Sequence, residues 1–90
     1  MYSKTTKIKN SSGVHARPAS FLVNEAKNFK SNITIRQLDS DSEPQNAKSI
    51  ISLLAMALPT DAEIEIAAEG EDDVEAVDKL ISLVESGLGE

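Results

Sequence analysis

Two hydrophobic periods alternate along this 90-residue chain, and their order limits the folds open to it. In residues 62–68, Ile64, Ile66 and Ala68 fall on one side while Glu63 and Glu65 fall on the other. That is the two-residue period of a strand with one buried face. Asn32-Ile33-Thr34-Ile35-Arg36 repeats it, with Ile33 and Ile35 inward. Two other segments keep the helical period. Ala16, Ala19, Leu22, Val23, Ala26 and Phe29 form one stripe, and Val74, Val77, Ile81 and Val84 form another. Residues 2–9 read as a strand from β-branched content and partial alternation. Residues 45–48 read as a short edge strand, although Pro44 beside them cannot donate to a ladder. Residues 49–58 read as a short helix stopped by Pro59. The order strand, helix, strand, strand, helix, strand, helix predicts an α+β fold. An antiparallel sheet carries helices on one face and leaves the other solvated.

The breaks between these elements carry their own signals. Asn10-Ser11-Ser12-Gly13 is a turn cluster, and residues 39–44 are a polar loop ending in proline. Pro18 falls in the first turn of its helix, where a missing N–H costs nothing. The last helix is expected to start after Gly70, with Glu71, Asp72 and Asp73 in its first turn, where the dipole favours each by about 0.3–1 kcal/mol. Gly87 is placed to cap that helix at its C-terminus. Ninety residues make a single domain, expected to bury about 60–65% of its unfolded surface. With Tyr2, Phe21 and Phe29 as the only aromatics, the core is aliphatic.

Composition removes several functions. A net charge of −6 argues against a nucleic-acid backbone as partner. Without cysteine there is no disulfide, thiol nucleophile or cysteine zinc site, and one histidine makes no His-rich metal site. No metal and no cofactor are expected. The longest apolar run, Leu53–Leu58, is too short to cross a bilayer. The first residues lack the apolar stretch of a secretion signal, so a cytoplasmic protein without membrane insertion is expected.

The one histidine sits in Ser-Ser-Gly-Val-His-Ala-Arg-Pro-Ala-Ser, residues 11–20. The turn places His15 at, or just before, the first residue of the first helix. There the first amides have no internal partner and the dipole puts about half a positive charge. Such an end attracts anions. Arg17 adds a permanent cation with several donors on the same turn, and Gly13 permits close approach. An imidazole there offers a ring nitrogen lone pair for attack. An indifferent N-cap histidine is the bland alternative. No nearby aspartate or serine orients the imidazole for hydrolysis. The set can hold a phosphoryl group and hand it on by positioning and electrostatics.

Gly-Val-His-Ala-Arg-Pro-Ala-Ser followed by an amphipathic helix resembles the active-site signature of HPr, the histidine-containing phosphocarrier family of the bacterial phosphoenolpyruvate:sugar phosphotransferase system. Lys48–Leu58 is similar to that family's regulatory-serine segment, and Ser86–Glu90 is like the ending of Gram-positive members. The resemblance covers essentially the whole chain. It implies an open-faced β-sandwich of four antiparallel strands covered on one face by three helices. It implies that His15 takes phosphate on Nδ1 from phosphorylated enzyme I and passes it to enzyme IIA domains of sugar transporters. Arg17 would steady the phosphate, with Ala16 and Pro18 shaping its pocket. The chain would then be a carrier with a covalent phosphohistidine, not an enzyme, and a monomer. Four features depart from the family pattern. Residues 38–45 run about three longer, Thr6 replaces an aromatic, Ser52 replaces glycine, and Ile51 and Leu54 replace methionines. These leave the phosphoacceptor role alone but leave open which branch this is: the sugar system, a nitrogen-related phosphotransferase arm, or a dedicated carrier for one kinase.

Ser49 precedes the apolar helix. As an N-cap it is worth about 1 kcal/mol against alanine. By resemblance it is also a phosphorylation site for an HPr kinase/phosphorylase, adding roughly −1.5 to −2 of charge. The helix after it is apolar around nearly its whole circumference, more than a one-sided surface helix needs, so one side is expected to dock partners. Periodicity does not say which. The resemblance assigns Ile50, Ile51 and Leu54 to the partner side and Leu53 and Met56 to the core. Ser20, Lys27 and Lys48 are expected around that patch. Two other functions fit less well. One is a regulatory module that binds a transcriptional regulator through Ser49 and the apolar helix. The other is a small acyl-phosphate hydrolase, which lacks a Gly-rich cradle.

Overall fold

Inward-facing residues of neighbouring strands meet across one sheet. The computed structural model describes residues 1–11 and 13–89 and contains β1 (Tyr2–Lys7), α1 (Ala16–Ala26), β2 (Asn32–Gln37), β3 (Gln45–Asn46), α2 (Ile50–Met56), β4 (Glu63–Glu69) and α3 (Asp73–Glu85). The strand order is β1-β4-β2-β3, antiparallel throughout. Ile33 lies opposite Ala68 and Ile35 opposite Ile66, so their side chains share the face that the helices cover. Ala19, Leu22, Val23 and Ala26 of α1, Leu53 of α2, and Ala76, Val77, Leu80, Ile81 and Val84 of α3 close that core. The opposite face, with Asn32, Thr34, Arg36, Glu65 and Ala67, is open. The result is a four-stranded antiparallel open-faced sandwich with three helices.

Tyr2, Lys4 and Thr6 lie on the helix side, opposite Ala68, Ile66 and Ile64. This edge of the core is polar. Tyr2 Oη donates to Asp78 Oδ1 (3.0 Å), Lys4 Nζ pairs with the same oxygen (2.8 Å), and Thr6 Oγ1 donates to Glu85 Oε2 (3.1 Å). Thr6, where an aromatic was expected, thus joins β1 to α3 through a hydrogen bond.

The far end of α3 is anchored by Asp72, its N-cap residue. The carboxylate accepts from the Lys30 amide (2.8 Å), the Ser31 amide (2.9 Å) and the Ser31 hydroxyl (2.5 Å). At the other end, Gly87 (φ 93°) donates to the Val84 carbonyl and Leu88 to that of Leu83. This pair of bonds is a Schellman motif, and it leaves Leu88 buried.

Several boundaries and faces differ from the expectations. β1 stops at Lys7 because the Ile8 carbonyl turns to accept from the Asp61 amide (2.9 Å). α1 ends at Ala26; a tight turn, Phe29 N–H to Ala26 C=O, follows, and Phe29 is half-buried. Ala16, expected on the inner stripe, is exposed because it opens the helix. β3 spans two residues rather than four, as Ala47 and Lys48 turn into α2. α2 ends at Met56 rather than Leu58, since Ala57 already takes the left-handed conformation (φ 50°, ψ 48°) ahead of Pro59. Val74 is 48% exposed, at the rim of the α3 stripe in its first turn. Glu65 is half-buried rather than wet, because it pairs with Arg36 Nη2 at 3.0 Å. Ser12, in the predicted turn, and Glu90, in the family-like ending, lie outside the described residues.

Candidate functional site

Gly13 sets the approach to α1. Its φ of +74° is open to glycine at little cost, and a Cβ there would lie 2.5 Å from the Leu58 carbonyl oxygen. The loop therefore passes directly over the end of α2. The Gly13 amide donates to Asn10 C=O (3.1 Å) and the Val14 amide to Leu58 C=O (2.8 Å). Val14 is buried, and the next residue, His15, emerges exposed.

His15 is the N-cap residue of α1, with extended backbone (φ −114°, ψ −160°). Its carbonyl accepts the Ala19 amide at 2.8 Å, the first bond of the helix. Ala16 and Arg17 thus stand ahead of the first intrahelical donor, and Pro18 has no N–H. Ala16 and Arg17 are exposed, while Pro18 is buried and holds the turn against the core. An exposed imidazole thus stands at the positive end of an eleven-residue helix, and Arg17 is exposed in that helix's first turn. Oxyanions suit such a place. Among the described residues no cluster of three or more His, Cys, Asp or Glu side chains could hold a metal. Also among them, no helix is long and apolar enough to cross a membrane.

Ser49 is the N-cap residue of α2, and its hydroxyl accepts from the Ser52 amide at 3.2 Å. Lys48 beside it is half-buried, and its ammonium donates to the Phe29 carbonyl just beyond α1 (2.7 Å). Lys48 therefore ties two helices together, a role the sequence reading missed. Together with the Val14–Leu58 bond, this shows that α1 and α2 run in opposite senses. The start of α2, with Ser49, lies toward the end of α1; the end of α2 lies beside the His15 loop. α1 is about 16 Å long, so the serine and the histidine occupy opposite ends of the helix pair.

On α2, Ile51 is 78% and Leu54 41% exposed, while Leu53 is fully buried and Met56 half-buried. Ile50 is half-buried and packs against the core, so it is less outward than expected. Ser20 on α1 and Lys27, its C-cap residue, are exposed, seven residues apart and hence on one face.

Residues 2–86 match the family described as PTS HPr component phosphorylation site. The phosphocarrier protein HPr of Haemophilus influenzae is 42% identical over 84 residues, covering 93% of this chain and 95% of that protein. A multiphosphoryl transfer protein of Vibrio cholerae is 42% identical over 89 residues, 99% of this chain. The chain spans only 22% of that longer relative. A crystal structure of HPr from Thermoanaerobacter tengcongensis superposes with a TM-score of 0.91 at 38% identity, covering 100% of this chain and 98% of that one.

Proposed function

The chain belongs to the HPr family of phosphocarrier proteins of the phosphotransferase system, and from that premise we propose that His15 is its phosphoacceptor, loaded by phosphorylated enzyme I and unloaded by enzyme IIA domains of sugar transporters. The observation that carries the reading is the exposed imidazole at the N-cap of α1, on the same turn as Arg17. The ring nitrogen lone pair attacks phosphorus, the N–P bond forms, and the bond from phosphorus to the donor's leaving atom breaks with its electron pair. The reverse sequence unloads the group. Arg17 and the first amides of α1 face the charge on the phosphoryl oxygens. Ala16 leaves room at the helix mouth and Pro18 keeps the turn stiff. The protein's own contribution is positioning and electrostatics, so it carries the group rather than turning over a substrate.

Docking uses Ile51 and Leu54, with Ile50 behind them and Ser20 and Lys27 on the neighbouring face of α1. Lys48 supports this patch through its bond to Phe29. Ser49 phosphorylation by an HPr kinase/phosphorylase would place negative charge at the N-terminus of α2. The fold tolerates charge there, while an acidic partner is repelled and a transcriptional regulator gains a handle. The site of action is the cytoplasm. Incubation with enzyme I and phosphoenolpyruvate should load acid-labile phosphate that His15→Ala abolishes; unchanged loading of that variant would remove the assignment.

A further inference from the structure

Two polar residues are buried among those described: Ser31, 1% exposed, and Asn10, 4% exposed. Ser31 serves the Asp72 anchor. Asn10 lies at the opposite end of the sheet, beyond the last residue of β1, where the strand register places the His15 loop. Its Nδ2 donates to the Gly87 carbonyl at 2.7 Å. Its own carbonyl accepts from the Gly13 amide (3.1 Å) and from the Thr60 hydroxyl.

We infer that Asn10 is a positioning residue for His15, an assignment that rests on the phosphoacceptor reading above. Three segments converge on this one buried residue: the loop into α1, the turn before β4, and the C-terminal turn after α3. The C-terminal turn is seated on the fold: Leu88 is buried in the core, and a Cβ at Gly89 would come within 3.8 Å of the Phe21 ring of α1. Phe21 is four residues beyond Arg17, on the same side of the helix. Asn10 thus fixes the loop ahead of His15 to a turn that runs close to the helix carrying His15 and Arg17. The Gly13 bond closes the loop locally, but the side-chain bond to Gly87 sets where the closed loop sits. Transfer by positioning is sensitive to displacements of this loop well below the size of an atom.

The test compares Asn10→Ala with Ser31→Ala, which removes the other buried polar group at the far end of the sheet. Imidazole nitrogen and proton resonances of His15 are recorded in the unphosphorylated proteins, together with thermal melts and the rate of loading by enzyme I. Both variants should melt earlier. Only Asn10→Ala should move the His15 resonances and slow loading, by about tenfold. Unmoved His15 resonances in Asn10→Ala, or equal movement in Ser31→Ala, would overturn the assignment. If Asn10→Ala does not fold, Asn10→Ser, which keeps a polar group in a smaller volume, is read in the same way. The resonances need no phosphate donor, so they decide the role of Asn10 even where loading fails. Failure of the wild-type protein to load would count instead against the phosphoacceptor reading.

Discussion

The amide of Val14 donates to the carbonyl of Leu58 at 2.8 Å, so the residue before His15 is bonded to the end of α2. One bond joins the proposed reaction centre to the helix that carries the exposed Ile51 and Leu54. On the proposed function, chemistry and docking are thereby held in a fixed relation, and perturbing the contact should be felt at both.

Gly13→Ala tests that contact. The new Cβ would meet the Leu58 carbonyl at 2.5 Å, on a backbone with φ +74°. A left-handed alanine costs about 1–2 kcal/mol and overpacking about as much again. Urea denaturation should show a loss of about 2–4 kcal/mol. A variant as stable as the parent would mean the loop does not press on α2.

Ser49 separates capping from charge. Ser49→Ala removes the acceptor for the Ser52 amide and should cost about 1 kcal/mol. Ser49→Asp restores a cap, so its stability should stay within about 0.5 kcal/mol of the parent. Loading by enzyme I should nonetheless slow in Ser49→Asp and not in Ser49→Ala, because only the aspartate sets a like charge against the partner. Equal loading of both would remove the regulatory role.

Asp72 predicts an acid limb. The Ser31 hydroxyl, then the Lys30 amide, hold its carboxyl down to about 2, from 3.8. The folded value lies below the unfolded one, so the stabilisation is complete above about pH 4 and is lost as pH falls through about 2. Asp72→Asn should flatten stability against pH over that window, measured by denaturant midpoints. An unchanged acid limb would show that other carboxylates set it.

Much of this was legible in the residues. Strict alternation gave Ile33, Ile35, Ile64, Ile66 and Ala68 their buried side, because the strand period is short and the register leaves no choice of face. The position of His15 at a helix mouth followed from a glycine before it and a proline after. The face of α2 was not legible from period alone, since apolar residues surround that helix; only packing against the sheet distinguishes Leu53 from Ile51. Ala57 ends α2 through a left-handed conformation that its sequence does not signal. Lys48 and Asn10 find their partners 19 and 77 residues away, beyond any local pattern. Val74 satisfies the helical period yet lies outside the core, because the first turn of α3 lies at the rim of its buried stripe.

Phosphorus NMR of the protein mixed with enzyme I and phosphoenolpyruvate tests the central claim most directly. The account predicts one phosphoramidate signal, that of phosphate on Nδ1 of His15, absent in His15→Ala and lost on acidification. A phosphate-ester signal alone, or a phosphoramidate signal that persists in His15→Ala, would contradict it.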